Sequence, residues 1–215
     1  MALVEVEDGI AMSTTLLFHF LEVMKMKAKL SYILISLAFV MIAGFFVNVA
    51  NALTVVIPFY NKTLLNLILL SVLASIGFIV IPYVFVTKVL GRDIFDKLRF
   101  DYHRSLIVLL LLVAGGYIWG GYDSIHTIVI AICEEFLFRY ILLNILNEKF
   151  TIFWAIIIGS LMFSIVLHLN GSFFLNVLTK FPASIILYVV YLRKGLQDSI
   201  AIHWFYNMII NALVY

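Results

Sequence analysis

The chain has 215 residues, 65% of them apolar and 12% charged, with a mean hydropathy of +1.15 and a net charge of +2. Soluble domains carry roughly 25% charged residues and are under half apolar, so the composition excludes that class and predicts one transmembrane domain over 1–215. The small net charge argues against a nucleic-acid partner, and a single cysteine, Cys133, excludes an internal disulfide framework and a CxxC metal site.

In chain order, Met1 to Asp8 is acidic, and Ile10 to Met24 is apolar but interrupted by Ser13, Thr14, Thr15, His19 and Glu22. That stretch falls short of the roughly 20 residues a bilayer span needs. Residues 1–23 therefore read as an N-terminal extension, either an interfacial helix or a segment upstream of the natural start at the basic run Met24–Lys29. Ser31 to Ala50 is the first clear span, and Asn51 to Asn61 reads as a loop. Leu64 to Val86 is the second span, kinked near its end by Pro82. Lys88 to Arg104 is a polar loop with five Lys/Arg and three Asp. The third span is Ser105 to Tyr122, whose Gly115-Gly116 and Gly120-Gly121 pairs allow close helix approach or a frayed end. Ser124 to Asn147, Thr151 to Leu169, Ser172 to Leu192 and Ser199 to Tyr215 complete the set. The predicted fold is all-α and polytopic, a bundle of about seven transmembrane helices. The sixth is expected to be broken or re-entrant in its first half, because Asn170, Asn176, Lys180 and Pro182 interrupt it.

Eleven of the fourteen Lys/Arg lie in the segments 25–29, 88–104, 148–150 and 193–197. The positive-inside rule then predicts a cytoplasmic N-terminus and an external C-terminus; the expected residence, as an integral multi-pass protein, is a bacterial cell membrane.

The chemistry concentrates in the fourth span, at Cys133-Glu134-Glu135-Phe136-Leu137-Phe138-Arg139-Tyr140. A charge at the bilayer centre costs ~2.5–3.5 kcal/mol on insertion scales unless it is paired or faces a cavity. Glu135 and Arg139, four apart on one helix, face each other and can pair. Glu134, about 100° around the helix, is left as the carboxylate available for general acid or base work. The bland alternative is that all three residues merely knit helices together. Two histidines lower its weight: His168 at the end of the fifth span, and His203 early in the seventh, followed on the same face by Asn207. Simple depth counting separates them, with His168 at the outer side and His203 about 9 Å from the inner side at ~1.5 Å per residue. A broken or re-entrant sixth segment resolves the conflict by sinking the turn after His168 toward Glu134. Lys180 there either snorkels to the surface or balances a carboxylate. Cys133 reads as a packed, inert thiol, and His19, His103 and His126 as incidental or near helix ends.

Glu134-Glu135-x-x-x-Arg139, a histidine closing the next apolar helix, and His203-x-x-x-Asn207 together resemble the CPBP family. That family comprises CAAX prenyl proteases and bacteriocin-processing (Abi) proteins, and the likeness covers a core of about 128–211. Tyr188-x-x-Tyr191 ahead of a short polar turn fits the same pattern. The second family motif is usually Phe-x-x-x-His, whereas Ser164 stands four before His168 and Phe163 one place earlier. Tyr140 follows the motif arginine where the family often has glycine.

The resemblance implies an intramembrane endopeptidase acting on a membrane-embedded or lipidated peptide. Glu134, helped by His168, would activate water, and His203 with Asn207 would stabilise the oxyanion. Glu135 and Arg139 would form a structural ion pair. Glu134, His168 and His203 are equally a set that can hold zinc with water at the open position, and both the metal-dependent and metal-free mechanisms stay open. A second class also stands: a non-catalytic scaffold or bacteriocin self-immunity protein acting through a membrane protein partner such as a sensor kinase or receptor. A proton-coupled transporter is a third, weakened by the lack of an inverted repeat.

Overall fold

A backbone in hydrocarbon must satisfy its own hydrogen bonds, so long apolar runs become helices. The computed structural model describes residues 2–94, 101–119, 121–167 and 173–214, with side chains described over 16–94, 101–111, 113–117, 124–167 and 173–210. Among the described residues there are seven helices and no strand. They are α1 (Ala2–Val56), α2 (Lys62–Val89), α3 (Tyr102–Trp119), α4 (Gly121–Glu135, continued by Phe136–Leu142 and Leu143–Leu146), α5 (Ile152–Val166), α6 (Phe173–Lys194) and α7 (Leu196–Val214). Three segments, Leu16–Val56, Lys62–Val89 and Phe173–Lys194, are each long and apolar enough to cross a membrane. The protein is an all-α polytopic membrane protein.

Three boundaries differ from the sequence reading. The first span runs back without a break into the N-terminal stretch and forward to Val56, so the expected loop from Asn51 shrinks to a few residues. Lys62 closes that end: its Nζ donates to the carbonyls of Thr54 (2.8 Å) and Ile57 (2.6 Å), a cation on orphan carbonyls at a helix C-terminus. Asn61 then opens α2, its Oδ1 accepting the Leu64 N–H at 3.0 Å. In α2 the distortion around Pro82 takes the form of π-helical turns at Ser75–Val80 and Phe85–Val89, and the helix continues through them.

The break expected in the sixth segment is absent from its described part, since α6 is one helix with Pro182 inside it. A proline removes a single backbone bond, which neighbouring helices in a bundle compensate. Here α6 is held along its length by packing against α5 and α7. Asn170, also expected to interrupt the segment, lies outside the described residues.

The four segments rich in Lys/Arg meet at one end of the bundle. Arg92 pairs with Glu148 at 2.8 Å, and Tyr32 donates to the same carboxylate at 3.0 Å. Arg104 Nη1 donates to the Lys194 carbonyl at 3.4 Å. Asp101 caps α3 by accepting from the N–H groups of His103 and Arg104.

Around the middle of α4 the core is complete. Leu137, Phe138, Arg139, Tyr140, Ile141 and Leu142 are all buried, so this helix is enclosed on every side, as the central element of a bundle must be. Phe39, Val40 and Ala43 of α1, Ala74 and Phe78 of α2, Phe163 of α5 and Tyr188 of α6 form the surrounding cluster. Exposed side chains such as Met41, Phe45, Ile68, Phe174 and Leu178 cover the outer faces with apolar surface that suits lipid.

Candidate active site

Two of the helix contacts that shape the site depend on the absence of a side chain. A Cβ on Gly159 of α5 would stand 2.1 Å from the Tyr188 hydroxyl. Without it, Tyr188 reaches across to donate to the Phe138 carbonyl at 3.1 Å. A Cβ on Gly115 of α3 would stand 2.2 Å from the Trp204 ring of α7, and Trp204 Nε1 donates to the Ser124 carbonyl of α4 at 3.2 Å. Of the two glycine pairs noted in the third span, Gly115 thus serves close approach. Between α6 and α7 only Gly195 intervenes, at φ 108°, a left-handed conformation that glycine adopts without steric cost. That tight turn lays the start of α7 along the end of α6, where Ser199 Oγ lies 3.2 Å from the Leu187 carbonyl.

The site begins at Arg139, whose side chain is completely buried. Its Nη1 lies 3.1 Å from Glu135 Oε1 as a charge contact off the hydrogen-bond line, and its Nη2 donates to Ser184 Oγ of α6 at 3.2 Å. The guanidinium plane lies over the rings of Tyr188 (4.8 Å) and Phe163 (4.9 Å), an arrangement that stabilises a desolvated cation. The residues from Phe136 onward wind as a π-helix, a departure often found at functional sites.

Glu135 is not confined to that pair. Its Oε1 also lies 2.7 Å from His203 Nδ1, and Ser199 donates to its Oε2. With a carboxylate at Nδ1, the imidazole carries a proton there and turns Nε2 toward Glu134, whose Oε2 is 3.5 Å away. Glu134, read from sequence as the lone carboxylate, therefore has His203 as its neighbour. Phe163 stacks edge-on against His203 with ring centroids 5.8 Å apart. Lys180 of α6 is half-buried, and no ion pair joins it to Glu134 among the described residues.

Glu134, Glu135, Arg139 and His203 are thus brought together from α4 and α7. Asn207 is half-buried one turn beyond His203, and no hydrogen bond links it to that group among the described residues. His168 lies outside the described residues. Cys133 is a buried free thiol in the apolar core. Phe163 stands one residue before the Phe-x-x-x-His position, and the turn bearing it, Met162–Val166, is π-helical, one residue longer than an α turn. The sequence reading missed Ser184 and Ser199. Each stands four residues before a site side chain, Tyr188 and His203, so helical i,i+4 spacing was the available signal.

The described residues supply two of the three or four protein ligands that a zinc ion takes. His203 Nε2 and Glu134 Oε2 face each other at a separation that two ligands of one tetrahedral ion can have. Glu135 on Nδ1 is the carboxylate that commonly orients a metal-bound histidine. Among the described residues no third His, Cys, Asp or Glu joins them.

A buried carboxylate–histidine–arginine group inside an all-α bundle defines an integral membrane protein with an intramembrane polar site. Residues 106–209, from α3 to α7 and just under half of the chain, match the family described as type II CAAX prenyl endopeptidase Rce1-like, which falls within the CPBP family that the sequence resembles. No curated protein matches the chain, and no solved structure does.

Proposed function

We propose that the protein is an intramembrane endopeptidase that hydrolyses a peptide bond in a membrane-embedded or lipidated substrate, with 128–211 as its catalytic core. The observation that carries this reading is His203 suspended between two carboxylates, Nδ1 at 2.7 Å from Glu135 and Nε2 at 3.5 Å from Glu134. Arg139 offsets the charge of Glu135, which leaves Glu134 as the carboxylate available to His203 and to water. Glu134, helped by His168, takes a proton from water as the water oxygen attacks the substrate carbonyl. The same proton passes to the leaving amine when the C–N bond breaks. His203, in its doubly protonated form, and Asn207 donate to the oxyanion, an interaction worth roughly 3–4 kcal/mol per donor. Glu135, Arg139 and Ser199 fix the orientation of the ring.

If the enzyme carries zinc, Glu134, His203 and His168 hold it, and the ion supplies Lewis-acid polarisation and a more acidic water. The roles of Glu135 and Arg139 are the same with or without it. The Lys/Arg distribution supports a cytoplasmic N-terminus, and a bacterial cell membrane is the residence proposed with it.

One observation favours a second reading, the non-catalytic scaffold or self-immunity protein. Glu135 and Arg139 are wholly buried and their partners come from within the chain, as a purely structural network requires. The deciding experiment reconstitutes the full chain in liposomes with a farnesylated peptide and follows the released C-terminal fragment by mass spectrometry. Cleavage that disappears in Glu134→Gln at equal protein abundance supports the protease. Cleavage unaffected by Glu134→Gln overturns the mechanism, and no cleavage by the wild type for prenylated or unmodified membrane peptides favours the scaffold.

A further inference from the structure

A second polar site lies at the far end of α6, where the apolar span gives way to Arg193 and Lys194. There a cavity of about 400 Å³ is walled by Asp101, Arg104, Leu192, Arg193, Lys194 and Gln197, among others. Three of these are cations and one is an anion. Asp101 is committed to the α3 N-terminus and to Arg104, 3.5 Å from its Nε. Among the described residues no carboxylate pairs with Arg193 or Lys194. The first turn of α7 adds the positive end of a helix dipole, offset in part by Asp198 in the same turn.

The independent observation is Gln197. It is 6% exposed, and its Oε1 is buried with no hydrogen-bond partner. A buried acceptor left empty costs about 1–3 kcal/mol, and Gln197 lines the cavity, so turning its side chain toward a donor on a ligand would be favourable. The ligand must then combine an anionic group for the cations with a hydroxyl or amine beside it for Gln197.

The position selects among such ligands. Lys194 is the last residue of a helix able to cross a membrane, so the cavity opens at the level of lipid headgroups, with Leu192 on its apolar side. We propose that this cavity binds the headgroup of an anionic phospholipid, its phosphate on Arg193, Lys194 and Arg104 and a headgroup hydroxyl donating to Gln197 Oε1. A bound lipid would brace the α6–α7 turn that sets His203 against Glu135, although the proposal does not depend on the catalytic reading.

The test titrates short-chain phosphatidylglycerol into the detergent-purified full chain and follows melting temperature. Phosphatidylcholine, phosphatidylmethanol (the same charge without a headgroup donor) and inorganic phosphate are run in parallel. Phosphatidylglycerol should raise the melting temperature most, phosphatidylmethanol less, and phosphatidylcholine and phosphate hardly at all. Arg193→Ala and Lys194→Ala should each weaken the apparent affinity about fivefold, the scale of one basic residue at an anionic surface, while the exposed Lys88→Ala leaves it unchanged. Gln197→Leu should erase the advantage of phosphatidylglycerol over phosphatidylmethanol. If that variant does not fold, the wild-type comparison of the two lipids decides the point. Equal shifts with phosphatidylglycerol and phosphatidylcholine, an effect of phosphate alone, or an equal loss in Lys88→Ala would overturn the site.

Discussion

His203 Nδ1 lies 2.7 Å from Glu135 Oε1, so the seventh helix is pinned by a buried contact to the same carboxylate that pairs with Arg139. The ion pair and the histidine therefore form one unit. Any change to Glu135 is felt at His203, and through its Nε2 at Glu134.

Stability should reflect that sharing. Arg139→Ala leaves the Glu135 carboxylate buried without its cation, and the expected loss is about 3–5 kcal/mol. The double variant Glu135→Gln/Arg139→Met removes both charges and should be more stable than Arg139→Ala alone. Thermal unfolding in detergent measures both. A double variant less stable than the single would show that the stranded carboxylate is not the main cause of the loss.

The close contact at Gly159 makes an independent prediction. Gly159→Ala forces Tyr188 away from the Phe138 carbonyl and should cost about 1–3 kcal/mol, the range for overpacking. Gly44→Ala, where a Cβ meets nothing within 4 Å, should be close to neutral or slightly stabilising. Tyr188→Phe in the Gly159→Ala background removes the clashing oxygen and should recover part of the loss. Melting temperatures of the four proteins test the set.

Activity and stability should separate at Glu134. Glu134→Gln keeps size and hydrogen bonding but cannot accept a proton, so abundance and melting temperature should stay near wild type while peptide cleavage fails. If Glu134, His168 and His203 act as one catalytic unit, each single substitution should cost nearly as much as all three together. Additive losses in cleavage rate would show that they act separately.

Topology is open to a chemical test. Lys149 sits at the end of the bundle that gathers Arg92, Glu148 and Tyr32. With Cys133 buried, a cysteine placed at 149 should resist a membrane-impermeant thiol reagent applied to intact cells and react after permeabilisation. Strong labelling of intact cells would invert the orientation.

Sequence alone determined the relations that lie within one helix. Glu135 and Arg139 face each other because four residues make just over one turn. His203 and Asn207 share a face for the same reason, as do Ser199 and His203. The apolar runs had to be helices because hydrocarbon offers the backbone no other partner.

Tertiary structure decided the relations between helices. Which carboxylate His203 meets depends on the rotation and depth of α7 against α4, and these follow from a one-residue turn at Gly195 and close packing at Gly115. The π turns at Phe136–Leu142 and Met162–Val166 had no signature that periodicity reveals, since each shifts later side chains by a single residue. The sixth helix stayed continuous through Pro182 because packing on both sides outweighs one missing hydrogen bond. Local spacing is fixed by covalent geometry, whereas the meeting of distant residues is fixed by the sum of many packing contacts. For that reason Arg139 could be given its partner from the sequence, and His203 acquired its two carboxylates only in the folded bundle.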